Sequence, residues 1–287
     1  MRHILFKLFR FLPDKLYLWL FFYKNSKEII NFKNPKGFNE KLQWLKIYDR
    51  NPEYTKLADK YEVKKYVGDQ IGAQYVIPLL GVWHNANDIN FDKLPNQFVL
   101  KCNHDSRSVI ICKDKNKLDI KNSIKKLNKS LKFNAYWYGR EWPYKNIKPY
   151  IIAEKFMEEE KGQALVDYKL FCFNGKVKLI EVIRGRYTEN YTQDIYDIQW
   201  NNTGIGQGYK TDESNLKRPD FLEEMIKLTE ELAKDIIHVR IDWYFINNQL
   251  YFGEFTFFDG SGFVPFENKD DDLLLGSWLK LGSTGTT

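Results

Sequence analysis

The chain has 287 residues, of which 43% are hydrophobic and 29% charged. This composition is ordinary for a soluble globular protein, and the length allows two or three subdomains. The formal net charge is +6, but the basic residues alternate with Asp and Asn, as on solvated faces, so we expect no nucleic-acid partner.

Cysteine and histidine patterns exclude two further kinds of site. The three cysteines lie in apolar runs without a CxxC pair, which predicts neither disulfides nor a thiolate metal site. The four histidines show no HxxxH spacing, so zinc chemistry is not expected. A reducing cytoplasm is therefore the expected location.

The first apolar stretch, residues 4–23, reads ILFKLFRFLPDKLYLWLFFY. Its charges and Pro13 interrupt it too often for a membrane span, and it lacks the cleavage site of a secretory signal. Two alternatives remain. One is a helical hairpin, broken at Pro13, that packs on the body of the protein; the other is a basic-aromatic segment, within residues 1–30, that rests peripherally on the inner face of the membrane.

Residues 35–70 are predicted to be mainly helical, with breaks at Pro35–Gly37 and at Asn51-Pro52. The second helical pattern covers Thr55 to Val67. It contains an Asp59-Lys60 pair, which by itself is explained as surface charge.

The run Phe98 to Cys102 predicts a buried strand with Lys101 near its end, followed by the polar loop 103–108. A strand lysine facing such a loop is a common phosphate-binding arrangement, because loop N–H groups add donors to the ammonium charge. The loop has no glycine, and an ordinary hairpin is the alternative.

The middle of the chain alternates between strands and polar segments. Residues 116–133 predict a basic helix and residues 135–149 an aromatic, turn-rich loop. Asn174-Gly175 predicts the turn of a β-hairpin. Residues 187–215 are polar and are predicted to be an extended loop or lid, and residues 219–237 an amphipathic helix.

A second hairpin follows, in which Arg240 and Asp242 alternate on one strand and Glu254 and Thr256 on the next. Residues two apart on a strand point to the same face, so we expect the four side chains to converge. Two carboxylates, an arginine and a hydroxyl suit a hard divalent cation, which usually brings substrate phosphates with it. A surface hairpin with cross-strand charge pairs is the alternative.

Taken together, several segments resemble a known family. The order FVLKCNHDS, IIAEKF, amphipathic helix, RID and ExT-plus-Gly loop resembles the ATP-grasp ligases. The segments GFNEKLQWLKIYDRNPEYTKLADKY, IPLLGVWHNANDINFDKLPNQFVLKCNHDS, DYKLFCFNGKV and YFGEFTFFDGSGF are similar to the TupA-like, teichuronopeptide-type ATP-grasp proteins. The resemblance runs from about residue 35 to about residue 281.

The resemblance implies an α+β ATP-grasp fold, in which two subdomains clasp ATP after a mainly helical N-terminal region. The implied domains are a helical region (1–95), a small subdomain (96–155), a large subdomain with the metal and catalytic groups (156–281), and a tail or cloning remnant (282–287).

For the nucleotide, the resemblance implies that Lys60 and Lys101 grip ATP phosphates, with Lys101 also catalytic, and that Glu154 accepts a hydrogen bond from the adenine amino group. The main chain of Phe156 and Met157 would line the base. Further implied nucleotide contacts are Ser106, Lys155, Lys169 and, at the ribose, Glu160 or its neighbour Glu159.

For the chemistry, the resemblance implies that Asp242, Glu254 and Thr256 hold Mg²⁺, although many family members carry Asn in place of Thr256. Arg240 would be catalytic and stabilise developing negative charge. The candidate substrate residues are Arg140, Arg184, Arg186, Gly260 and Ser261.

The implied activity is an ATP- and Mg²⁺-dependent carboxylate–amine ligase that forms an amide through an acyl phosphate. Its partners would be ATP, an acidic sugar or glycan carboxylate and a small amine, in bacterial surface polysaccharide synthesis. The alternatives are a glycosyltransferase or sugar kinase of the same pathway, and a catalytically silent glycan-binding protein.

Overall fold

The computed structural model describes residues 9–158, 165–186, 188–212 and 216–282. Its helices, in chain order, are α1 (Asp14–Ser26), α2 (Phe38–Tyr48), α3 (Glu53–Ala58), α4 (Glu62–Gln70), α5 (Ile120–Ser130), α6 (Tyr136–Gly139), α7 (Leu222–Leu232) and α8 (Lys269–Trp278). Its strands are β1 (Leu79–Trp83), β2 (Phe98–Cys102), β3 (Ile110–Cys112), β4 (Ile151–Lys155), β5 (Asp167–Phe173), β6 (Lys176–Arg184), β7 (Thr192–Asp197), β8 (His238–Ile246) and β9 (Gln249–Thr256).

The chain divides into two compact units. The larger unit consists of residues 1–50 and 159–287, and the smaller unit of residues 51–158. None of the helices that the structure describes has the length and apolar composition needed to cross a membrane.

The smaller unit contains an antiparallel sheet in the order β1-β4-β2-β3. Along β2 the side chains alternate between buried and partly exposed, with Phe98, Leu100 and Cys102 inward. Helix α5 packs on the inward side, where Leu127 is fully buried. Its N-terminus is capped by Asp119, whose carboxylate accepts the Asn122 N–H.

In the same unit the predicted helical pattern of residues 55–67 is divided into α3 and α4. The division occurs at Asp59, whose Oδ1 accepts the N–H groups of Tyr61 (2.8 Å) and Glu62 (3.3 Å). A buried aspartate at this position satisfies orphan donors of the second helix and so starts it afresh.

The larger unit contains an antiparallel sheet in the order β7-β6-β5-β8-β9. Helix α7 covers one face, where Trp243 is fully buried and its indole N–H donates to Thr229 Oγ1 at 2.8 Å. The apolar residues of this face alternate along the strands with the polar residues of the other face, as a period of two requires. The opposite face therefore carries the charged side chains.

The predicted turn at Asn174-Gly175 is confirmed, and the second predicted hairpin turns at Asn247-Asn248. Asn174 and Gly175 have φ of 49° and 77°, and Asn247 and Asn248 have φ of 51° and 60°. Left-handed backbone at both central positions is the geometry of a two-residue turn that matches the twist of its strands.

The prediction of an extended loop over residues 187–215 is wrong in part, because strand β7 lies within it. Gln193 to Tyr196 are buried, and β7 pairs with β6 from Arg184↔Thr192 to Leu179↔Asp197. The polar composition concealed the strand, since Gln193 and Asp194 meet polar partners rather than apolar ones: Glu181 and Arg184.

Candidate active site

In the smaller unit a cluster joins two partly buried lysines to one buried carboxylate. Lys101 Nζ lies 2.6 Å from Glu154 Oε2, and Lys64 Nζ lies 2.7 Å from Glu154 Oε1. Lys101 and Glu154 stand on the neighbouring strands β2 and β4, and Lys64 reaches them from α4. We call these three residues the lysine–glutamate cluster.

The electrostatics of this cluster favour an anionic ligand. Burial alone would raise the pKa of Glu154, but the ammonium groups of Lys101 and Lys64 lower it below its usual value. Burial lowers the pKa of Lys64, and Glu154 partly restores it. Two cations share one anion, so the cluster keeps a formal excess of positive charge.

Lys60 is held beside the loop that follows β2. Its backbone N–H donates to the Asn103 carbonyl at 3.0 Å. The Asn103 side chain in turn donates to Asp59 Oδ1 at 2.8 Å and accepts the Tyr150 N–H at 2.8 Å. This one buried asparagine therefore fixes the position of Lys60 relative to β2 and β4.

The loop that contains Ser106 is organised by Asp105. Asp105 Oδ1 accepts Ser108 Oγ at 2.6 Å and the N–H groups of Arg107 and Ser108 at 3.1 and 3.0 Å. Ser108 Oγ accepts the Cys102 N–H at 2.7 Å. Side-chain turns thus replace the glycines that such a loop often uses, and they leave Ser106 exposed.

The remaining predicted residues of the smaller unit are not brought into the cluster. Lys155 is exposed at the end of β4, and Phe156 and Met157 follow it, with Lys113 Nζ 5.6 Å from the Phe156 ring. Arg140 is 1% exposed, with its guanidinium 4.8 Å from the Trp137 ring centroid, so it is part of an aromatic core. The predicted contacts Glu159 and Glu160 lie outside the described residues.

In the larger unit four charged residues stand in one row across four strands. The register pairs Glu181 with Lys169, Lys169 with Asp242, and Asp242 with Glu254. Lys169 Nζ lies 3.4 Å from Glu181 and 3.9 Å from Asp242. We call this the charged row.

Arg240 lies two residues before Asp242 on β8, on the same face of the sheet. Its guanidinium forms a bidentate, fork-like pair with the Asp242 carboxylate. Its Nε and Nη2 donate to the two oxygens of Asp242 at 2.7 and 2.8 Å. Its Nη1 donates to Asp259, and its Nη2 to Thr256 Oγ1 at 3.2 Å. The predicted convergence of Arg240, Asp242, Glu254 and Thr256 on one face is therefore confirmed by the register.

Carboxylates outnumber cations on this face. Among the described residues that form ion pairs in and beside the charged row, five carboxylates (Asp167, Glu181, Asp242, Glu254, Asp259) meet three cations (Lys169, Arg186, Arg240), a formal excess of two negative charges. Burial, together with neighbouring carboxylates, raises the pKa of Glu181, and burial raises that of Asp167. Burial alone would lower the pKa of Arg240, but Asp242 and Asp259 raise it well above its usual value.

The donor set fits a hard divalent cation. Asp242 and Glu254 are cross-strand neighbours, and the side chain of Glu254 is 32% exposed. Within the described residues no group of three or more His, Cys, Asp or Glu makes a metal site by itself. Mg²⁺ does not need one, because it is usually held by one or two carboxylates while water and phosphates complete its shell.

Gly260 and Ser261 lie in the tight turn Asp259–Gly262, directly after β9. Both have positive φ, 51° and 57°. Two buried side chains of α2 hold the turn: Gln43 Nε2 donates to the Gly262 carbonyl at 2.7 Å, and Lys46 Nζ to the Ser261 carbonyl at 2.7 Å. This turn is what carries Asp259 to Arg240.

Arg184 and Arg186 lie near the end of β6 but have different partners. Arg184 Nη2 pairs with Asp212 at 2.6 Å and with Asp194 at 3.2 Å, whereas Arg186 Nε pairs with Asp167 at 3.0 Å. Arg184 also lines a cavity of about 500 Å³. The other residues lining it are Gly185, Glu189, Asn190, Tyr191, Thr192, Lys210, Thr211 and Asp212.

Sequence reasoning missed several residues that complete these clusters. Asp259 was visible as the acid directly after the ExT strand, and its position was a usable signal. Lys46 is buried and Lys64 partly buried, but each shares its helix with another lysine, and nothing in the pattern distinguishes these lysines from exposed ones.

The chain was compared with solved structures, with curated proteins and with protein-family models. The Helicobacter pylori D-alanine–D-alanine ligase structure is 18% identical, with 85% of this chain and 69% of that chain covered and a TM-score of 0.42. The Bacillus anthracis D-alanine–D-alanine ligase complexed with ATP is 16% identical, with 70% and 53% covered and a TM-score of 0.39. A sequence search of curated proteins finds no match.

A third solved structure is the biotin carboxylase domain of Hydrogenobacter thermophilus 2-oxoglutarate carboxylase, which contains MgADP. It is 16% identical, with 80% of this chain and 43% of that chain covered and a TM-score of 0.44. The chain spans about half the length of the two Bacillus anthracis ligase chains, 53% and 56%. Likeness at this level says nothing of what this chain binds.

The family comparison reaches further, because it covers most of the chain. The family model described as TupA-like ATPgrasp matches residues 40–280. The matched range includes both the lysine–glutamate cluster and the charged row, and the α+β architecture is that of the ATP-grasp fold. The chain belongs to the TupA-like ATP-grasp family.

Proposed function

We propose that this protein is an ATP- and Mg²⁺-dependent carboxylate–amine ligase that forms an amide through an acyl phosphate. The observation that carries the proposal is the fork of Arg240 on Asp242, directly beside Glu254. A guanidinium and two carboxylates in this arrangement suit the handling of phosphate charge and a divalent cation together.

Asp242 and Glu254 are the proposed ligands of Mg²⁺, with Thr256 beside them. The bound ion would neutralise phosphate charge during transfer. Its positive charge would offset the formal negative excess of these ion-paired side chains, which supports the assignment. Lys169 and Arg240 hold Asp242 from two sides and so fix the direction of its oxygens.

Lys101 and Lys60 are the proposed phosphate-binding residues of the smaller unit. Lys64 is proposed for the same role because it pairs with the same carboxylate as Lys101. Glu154 holds both lysines of its cluster in place. The other nucleotide-binding residues are proposed in the roles that the family implies. Glu154, Phe156 and Met157 would contact the adenine. Further nucleotide contacts would come from Ser106, Lys155, Glu160 and Lys169.

Arg240 is the proposed catalytic cation. The carboxylate oxygen of the substrate attacks the γ-phosphorus of ATP and ADP leaves; an amine then attacks the acyl carbon and phosphate leaves. Negative charge develops at the phosphoryl group in the first step and on the carbonyl oxygen in the second. A preorganised guanidinium stabilises both without moving, because Asp242 and Asp259 already hold it.

The proposed substrates are an acidic sugar or glycan carboxylate of a bacterial surface polysaccharide and a small amine, such as an amino acid or amino alcohol. Arg184 lines a cavity of about 500 Å³, whose size and polar lining suit a sugar unit. Arg186, Gly260 and Ser261 remain proposed substrate residues; Arg140 is a weaker candidate because it is buried. Cytoplasmic ATP supply makes the inner face of the membrane the proposed location.

The test begins with nucleotide binding. ATP with Mg²⁺ should raise the melting temperature of the wild-type protein but not that of Glu254→Gln or Lys101→Met. The matched control is Glu231→Gln, at an exposed glutamate on α7, which should respond like the wild type. If the wild type gains no thermal stability from ATP and Mg²⁺, the proposal is wrong.

The reaction is then identified by its requirements. Phosphate release should depend on a carboxylate and an amine together, screened with uronic-acid glycans against a panel of amines. Consumption of a nucleotide sugar without ATP would identify a glycosyltransferase instead. Phosphorylation of the sugar with release of ADP, in the absence of any amine, would identify a kinase and overturn the amide-forming step.

A further inference from the structure

Helix α1 has two apolar faces on opposite sides. Tyr17, Leu18 and Phe22 are buried on the inner side. Phe21, on the same side, contacts Phe263 with the ring centroids 6.2 Å apart. These contacts attach α1 to the body of the larger unit and account for one of its two apolar faces.

The outer face consists of large side chains that point away from that core. Leu16, Trp19, Leu20 and Tyr23 are 44%, 36%, 38% and 48% exposed. Their spacing of i, i+3, i+4 and i+7 confines them to an arc of about 100° on a helix with 3.6 residues per turn. We call this set the α1 ridge. Contiguous exposed apolar surface of this kind marks a binding surface more often than chance exposure.

Charge on the same segment is arranged around the ridge. Lys15 and Lys24 fall on its two sides, about 40° beyond its edges by the same helical geometry; Lys27 follows the helix, and all three are exposed. The two acids of the segment are engaged elsewhere: Asp14 pairs with Arg50 at 2.6 Å and Glu28 with Lys269 at 2.7 Å. The ridge is therefore bordered by positive charge.

We propose that the α1 ridge docks this protein on a lipid bilayer that carries anionic headgroups, with α1 lying in the plane of the surface. Trp and Tyr suit that interface because their rings are apolar and their N–H and O–H groups stay hydrated. Flanking lysines add attraction to anionic lipid. Thirteen residues, about 20 Å of helix, are too few to cross the hydrocarbon core, so the helix lies on the surface.

The experiment is vesicle flotation of the full chain, with vesicles of phosphatidylcholine alone or mixed with phosphatidylglycerol. The wild type should float with the mixed vesicles, and Trp19→Gln combined with Leu20→Gln should weaken its partitioning at least about tenfold. The matched control is Ile111→Gln with Leu273→Gln. These side chains are 47% and 40% exposed elsewhere, and the control should float like the wild type.

A charge variant separates the contribution of the lysines from that of the apolar ridge. It also tests the proposal if the Trp19→Gln, Leu20→Gln variant does not fold. Lys24→Glu with Lys27→Glu should lose flotation chiefly with the anionic vesicles. Failure of the wild type to float with mixed vesicles overturns the proposal, as does equal flotation of wild type and ridge variant. A wild-type dimer in sedimentation velocity that the ridge variant dissociates, without vesicle binding, would identify a second copy as the occupant and also overturn it.

Discussion

Asp242 lies directly opposite Glu254, and this pairing depends on a bulge in β9. From the turn at Asn247-Asn248 the register runs regularly to Trp243↔Phe252 and then shifts, so that Gly253 has no partner of its own. Without the shift Asp242 would face Gly253, and Glu254 would point to the apolar face. One glycine therefore decides whether the two carboxylates meet.

Replacing Gly253 should disturb the bulge. A Cβ at this position would lie 3.0 Å from the Asp242 carbonyl oxygen and 3.2 Å from the Tyr244 ring. We expect Gly253→Ala to lower the free energy of unfolding by about 1–3 kcal/mol, because the backbone at Asp242 must move. Urea unfolding measures the loss, and the thermal shift with ATP and Mg²⁺ should shrink in parallel.

A second glycine provides a matched control, for which substitution by alanine should raise rather than lower the free energy of unfolding. A Cβ on Gly68, in α4, would meet its nearest neighbour at 3.8 Å, which is ordinary contact. Gly68→Ala should therefore stabilise the protein by up to about 1 kcal/mol, since alanine is the better helix former. A Gly253→Ala protein as stable as the wild type would contradict the role given to the bulge.

The fork of Arg240 predicts that lysine cannot replace it. Lysine keeps the charge but cannot donate to both oxygens of Asp242 and to Asp259 at the same time. Arg240→Lys should cost about 1–3 kcal/mol of stability, and turnover should fall about 10²–10³-fold while the ATP-dependent thermal shift remains.

The control is Arg218→Lys, in an exposed pair with Glu223, which should change stability by less than about 0.5 kcal/mol. Unchanged turnover of Arg240→Lys in the ligase assay would remove Arg240 from the proposed chemistry.

Replacing the carboxylate of the lysine–glutamate cluster by an uncharged amide should strongly lower the stability of the protein. Glu154→Gln leaves the ammonium groups of Lys64 and Lys101 largely buried without their carboxylate. We expect a loss of about 2–4 kcal/mol in urea unfolding, because breaking a buried pair leaves charge uncompensated.

Glu158→Gln provides the same chemical change at an exposed pair. Glu158 lies 3.8 Å from Lys113, and both side chains are exposed. Its effect should stay within about 0.5 kcal/mol. Similar losses for the two variants would mean that the buried cluster contributes no more than a surface pair.

The fold was readable from the sequence wherever the periodicity was strong. The Asn174-Gly175 turn and the strand with Lys101 follow from local pattern. The convergence of Arg240 with Glu254 was predicted from the alternation within each strand, but it also needs the bulge at Gly253. The partner of Lys169 depends on a bulge as well. Counting back from the turn pairs Lys169 with Ile180, and only a bulge between Phe171 and Cys172 brings it opposite Glu181.

The helical contributions to the site were unreadable for a different reason. Lys46 is fully buried in α2, yet its place in the sequence resembles that of any surface lysine. Its burial depends on the turn Asp259–Gly262, more than 200 residues away, where the Ser261 carbonyl accepts a hydrogen bond from its ammonium group. Contacts over such separations are set by packing of whole elements, which no local pattern encodes.

The buried histidine His238 predicts how stability depends on pH. Its Nδ1 lies 2.8 Å from the Cys172 carbonyl oxygen, and Phe38 and Phe173 pack on its ring. Burial lowers its pKa from 6.5 to about 4. Because the folded-state pKa is below the unfolded-state value, the unfolded chain binds the proton more tightly. The contribution of His238 is therefore complete above pH 6.5 and is lost as the pH falls towards 4.

The expected loss over this range is roughly 2–4 kcal/mol, since each pKa unit corresponds to about 1.4 kcal/mol. Urea unfolding of wild type and His238→Gln at a series of pH values measures it. The variant cannot take up this proton, so its stability should fall less steeply between pH 6.5 and 4, even if it is lower at neutral pH. Parallel curves for wild type and His238→Gln would show that His238 is protonated as readily in the folded protein as in the unfolded chain.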